Sequence, residues 1–125
     1  MKTVFRVLVA LPAVLFVVMG LRWAVDPAGA APGLGMTLMK GVGLSSQIAD
    51  VGAFFLAMGM MMMLGLITAK ASWFQAPALM LGIAAVFRVL AWLVHDAALA
   101  LPMIVVEVVM ATVLILAASR LAQES

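Results

Sequence analysis

Residues 73–120 read WFQAPALMLGIAAVFRVLAWLV, HDAALA, LPMIVVEVVMATVLILAASR: two apolar runs on either side of a short break at His95–Ala100. The first, about Trp73 to Val94, and the second, about Leu101 to Arg120, are each near the ~20 residues a helix needs to cross a hydrocarbon core of ~30 Å. Backbone in lipid has to satisfy its own hydrogen bonds, and runs this long do not suit barrel strands. Both are therefore read as transmembrane helices joined in a tight hairpin.

Two further runs lie N-terminal to this hairpin, about Phe5 to Ala24 and about Ile48 to Ala69. The chain is thus expected to be all-α, a single four-span integral membrane bundle over residues 1–125. Composition agrees: 68% of the 125 residues are hydrophobic and 10% charged, whereas soluble domains are near half apolar and a quarter charged. The net charge is only +2, and Lys2, Arg6, Lys40, Lys70 and Arg120 fall at span ends or in connections. That pattern is topogenic and predicts no nucleic-acid partner. Without cysteine, disulfides, thiolate metal sites and thiol catalysis are excluded.

Several boundaries carry signals. Ser72 with Gln75 is read as a capping box opening the third span, and Ser46 as the N-cap of the second. Pro102 suits the first turn of the fourth, and Pro12 is a candidate kink in the first. The connection from Val25 to Gln47 is long and rich in Pro and Gly, with a short surface helix expected over Met36 to Lys40. Positive residues favour the N- and C-termini inside, with Lys2, Arg6, Lys70 and Arg120 cytoplasmic and Lys40 and Arg22 outside. Trp23 and Trp92 are then expected at the outer interface and Trp73 at the inner one. Met1 to Gly20 followed by Ala28-Gly29-Ala30 has the outline of a signal peptide. Its core is long, however, and Arg22, Trp23 and Asp26 intervene, so it is read as a retained span. Ala49, Ala53 and Ala57 form a small-residue ridge, with Gly52, Gly59 and Gly65 adding further room, expected to pack closely within the bundle or between copies.

Ionisable groups within lipid are costly and call for a partner or a purpose. Arg88 and Glu107 each lie roughly 9 Å from the same end of their helices at ~1.5 Å per residue, which predicts a salt bridge across the hairpin. Arg22, Gln47, Asp50, Trp92, His95 and Asp96 gather at the same outer half, while the inner half is almost purely apolar. Arg88, Glu107, Asp50, His95, Trp92, Arg22 and Gln47 are accordingly the candidate ligand-binding residues of an outward-facing polar pocket. A bland reading stands beside this one: the ion pair fixes helix register, Asp50 meets a helix dipole and Arg22 snorkels. His95, Asp96, Glu107 and Asp50 have metal-compatible donors but no diagnostic spacing. The run Met60 to Met63 points all round a helix and suits packing better than copper.

Ala49–Gly59 (ADVGAFFLAMG), Ala85–Leu90 (AVFRVL) with His95-Asp96, and Val105–Val109 (VVEVV) resemble a family of small bacterial four-span proteins of unknown function, similar to the DoxX-like membrane proteins. The resemblance covers about residues 45 to 120. It implies a four-helix bundle in the bacterial inner (cytoplasmic) membrane, with an important acid in span two, Arg in span three and Glu in span four. It implies no established activity. Many relatives have Gly-Arg where this chain has Phe87-Arg88, so local packing there is expected to differ.

Several functions are compatible with these residues. One is a pocket for an amphipathic ligand, lipid or quinone-like, or an accessory subunit of a larger membrane complex. Another is an enzyme on a lipid-soluble substrate, with His95, Asp50 or Glu107 as acid or base and Arg88 stabilising an anion. A third is a small transporter or channel, which would need an oligomer to supply a polar route through the inner half. Membrane lipid and further copies of the chain are the expected partners. No motif names a cofactor.

Overall fold

The computed structural model describes residues 2–122. Helix α1 spans Lys2–Val25, and the short α2 spans Pro27–Ala30, followed by a 3-10 turn at Ala31–Leu34. Helix α3 (Val42–Ser46) runs through a π-helical turn (Gln47–Val51) into α4 (Gly52–Thr68). Helices α5 (Ala71–Val94) and α6 (Leu101–Arg120) complete the chain. Counting α3 to α4 as one, four helices are long and apolar enough to cross a membrane.

The outer surface supports that solvent. Large apolar side chains such as Leu11, Val18, Val86, Phe87, Val108 and Ile115 are about half exposed or more along all of α1, α5 and α6. In water so much apolar surface would be very unfavourable; against acyl chains it is not.

The helices pack as an antiparallel ring in the order α1, α4, α5, α6. The tightest seam joins α1 to α4, through glycine. A Cβ on Gly20 would come within 2.6 Å of the Leu56 nitrogen, and one on Gly59 within 2.7 Å of the Ala13 carbonyl oxygen. Gly52 and Gly59 lie seven residues apart on one face of α4 and are buried. The expected Ala49-Ala53-Ala57 ridge lies on a neighbouring face and is exposed. Small residues do allow close helix approach here, but they are the glycines rather than the alanines. Gly65 does the same for Phe74 of α5, whose ring would lie 2.8 Å from an added Cβ.

Helix ends differ from the sequence expectations at three places. Helix α5 starts at Ala71, with Lys70 as an N-cap that makes no side-chain bond. Ala69 in the left-handed region (φ 56°) turns the chain so sharply that Ser72 is already inside the first turn and no capping box forms. Likewise Ser46 is helical, not a cap; the second span begins after Gly41, whose φ of 59° sets the bend. Residues 36–40 are irregular rather than helical. The helical turns fall instead at Pro27 and Pro32, which stand at the first positions of their turns, where a missing N–H costs least. Pro102 occupies the expected first turn of α6. Helix α1 continues through Pro12.

The core is unevenly placed. Val9, Met62, Phe74, Ala78, Leu114 and Ala117 fill the half of the bundle nearest Lys70. Met58 and Met62 are fully buried while Met60 is half exposed, as four consecutive methionines on one helix require. Trp23 is also buried, 1% exposed, and so is not an interfacial anchor: it is wedged beside Gly52. The half of the bundle away from Lys70 is less completely filled.

Candidate functional site

In that looser half Arg88 and Glu107 meet. The α5–α6 connection reverses through two left-handed residues, Asp96 (φ 58°) and Ala100 (φ 54°). The His95 and Ala97 N–H groups both donate to the Ala91 carbonyl. Counting back from this reversal brings Arg88 and Glu107 to equal depth. The Arg88 Nε donates to the Glu107 Oε1 at 2.8 Å, in an ion pair whose side chains are 33% and 10% exposed. Only Nε makes a bond to the protein among the described residues, so the two Nη nitrogens are left to other partners.

The pair is not packed shut. It lines a cleft of about 400 Å³ walled by Phe16, Phe54, Phe55, Leu81 and Met103 and roofed by Gly33 and Leu34. Phe55 sits against Phe16 at 5.7 Å between centroids and edge-on to Phe54 at 5.4 Å. Leu15 of α1 and Val106 of α6 line the same cleft and are 56% and 55% exposed, so it opens sideways between these two helices.

A second chamber of about 280 Å³ adjoins the first. It shares Leu34, Phe54, Phe55 and Arg88 and adds Met36, Val51 and Asp50. Arg88 thus lines both chambers, bonded to Glu107 in the first and sharing the second with Asp50. Asp50 is carried by the π-helical turn. Such a turn holds one residue more than an α-turn and re-aims the side chains within it, and these turns recur at functional sites.

Gln47 opens the same π-turn and is 8% exposed. Its Oε1 accepts from the Met39 N–H at 2.9 Å, and its Nε2 donates to the Thr37 carbonyl at 3.0 Å. This one amide takes up the Met39 N–H and the Thr37 carbonyl and ties down the irregular segment that follows the Gly33–Leu34 roof. Its role is to position, not to line.

The other sequence candidates lie apart from the cleft. Arg22 pairs with Asp26 at 3.8 Å in an exposed i,i+4 contact. Asp26 also caps α2 by accepting from the Gly29 N–H at 3.2 Å. Trp92, His95 and Asp96 are exposed and line neither chamber. Among the described residues no three His, Asp or Glu side chains gather as a metal site would require. The phenylalanine walls and the Leu34 roof were not legible as site residues, because apolar residues in an apolar span carry no distinguishing mark. Compared with protein-family models, curated proteins and solved structures, the chain matches none, so what the cleft does has to be argued from its own residues.

Proposed function

We propose that this chain is a binding protein of the bacterial cytoplasmic membrane that holds an amphipathic molecule in the Arg88–Glu107–Asp50 cleft. In this reading both termini are cytoplasmic and the cleft lies toward the outer face. One observation supports it above the rest: a costly intramembrane ion pair lines an apolar-walled space instead of being packed on every side. A pair serving only register gains from closure, because unfilled space forfeits dispersion contacts. Small-molecule sites have this character, mostly apolar with a few convergent polar groups. Acid–base catalysis is less favoured, since His95 stands outside the cleft and Glu107 is engaged by Arg88, which leaves Asp50 as a lone acid or base with no partner group bonded to it among the described residues. The resemblance to DoxX-like proteins is compatible with the bundle and adds no activity.

The test is native mass spectrometry of the protein extracted in a mild non-ionic detergent. A co-purifying adduct is expected for the wild type. It should be lost in Val106→Trp, which places bulk at the lipid-facing mouth where folding tolerates it. Bare protein in both cases refutes the reading.

A further inference from the structure

We infer that the molecule held in the cleft is a lipophilic organic monocation, an amine or quaternary ammonium on a compact apolar body, with its charge set against Asp50. This deepens the proposed binding function and rests on it. The charges lining the two chambers do not balance. Arg88 is neutralised by Glu107 at 2.8 Å. Asp50 is in no ion pair and accepts no hydrogen bond from any described residue, yet it shares a chamber with Arg88, Phe54 and Phe55. One guanidinium and two carboxylates leave one negative charge over.

Asp50 is exposed on the wall of its chamber, and an unpaired carboxylate beside a membrane-facing cleft attracts a cation to it. An anion drawn to Arg88 would share its chambers with Glu107 and Asp50, both of its own sign. A neutral ligand leaves the imbalance in place, as does a zwitterionic lipid, which brings a phosphate with its ammonium. The aromatic walls favour the same sign, because ring faces attract cations, quaternary ammonium above all. The sideways mouth between Leu15 and Val106 admits a molecule already dissolved in the bilayer.

Tetraphenylphosphonium and tetraphenylborate share one shape and differ in sign, so they isolate the effect of charge. Binding to the purified full-length protein in non-ionic micelles is measured by equilibrium dialysis and corrected for partition into empty micelles. The phosphonium is expected to bind at least tenfold tighter than the borate. Asp50→Asn should abolish that preference and Asp50→Glu retain it. Asp26→Asn, outside the cleft, should change nothing. Preferential binding of the borate, lost in Arg88→Gln, would overturn the inference while leaving an amphiphile-binding cleft intact. Equal binding of both ions, or a preference unchanged in Asp50→Asn, would overturn it too. Failure of both ions to bind would remove the inference together with the function beneath it.

Discussion

Arg88 and Glu107 depend on each other more than either depends on its surroundings. Removing one partner leaves the other's charge in a largely apolar setting. Glu107→Gln or Arg88→Gln is therefore expected to cost about 2 kcal/mol, below the 3–5 typical of a fully buried pair because the guanidinium is a third exposed. The double variant Arg88→Gln/Glu107→Gln should recover at least half of that loss. Unfolding in mixed micelles reads all three, and a double variant as unstable as the sum of the singles would contradict the coupling. This pair was legible in the sequence because a hairpin converts two positions equally far from its turn into neighbours. Trp92 and His95 share a helical face with Arg88, but they stand one and two turns nearer the end of α5. Periodicity gives direction around a helix and is silent about where a cleft stops. Arg22 found a nearer partner in Asp26, which a count of polar residues at one end does not resolve.

Among the elements, the π-turn at Gln47–Val51 does the most for the least sequence. It ties down the segment after the roof with Gln47 and presents Asp50 to the second chamber, and nothing in the composition of QIADV announces it. The four spans were legible from length and apolarity, as were the end of α5 at Val94 and both ends of α6, whereas the starts of the second and third spans were not. Ser72 and Ser46 are plausible caps by type, but the neighbouring left-handed Ala69 and Gly41 decide where each helix begins, and backbone handedness at a single residue is weakly written in sequence. Because Gln47 makes the only hydrogen bonds to residues 37–39 among the described residues, Gln47→Ala should raise amide hydrogen exchange over residues 36–40 at least tenfold, with protection in α5 and α6 unchanged. An unaltered exchange pattern would mean that this segment is held by something other than this side chain.

For the molecule as a whole, the distribution of basic residues predicts an orientation that labelling can read. Since the chain has no cysteine, Lys40→Cys in intact cells should react with a membrane-impermeant maleimide. Lys70→Cys should react only after permeabilisation, and the reverse pattern would invert the bundle and move the cleft to the cytoplasmic face. The asymmetry between the two halves then has a consequence for energy conservation. The close-packed Lys70 half, with Met58 and Met62 buried and Phe74 pressed on Gly65, would act as an insulator in series with the ionisable half. In the proposed orientation water would reach Glu107 and Asp50 from one face alone, and the dry half would hold the voltage across the bilayer.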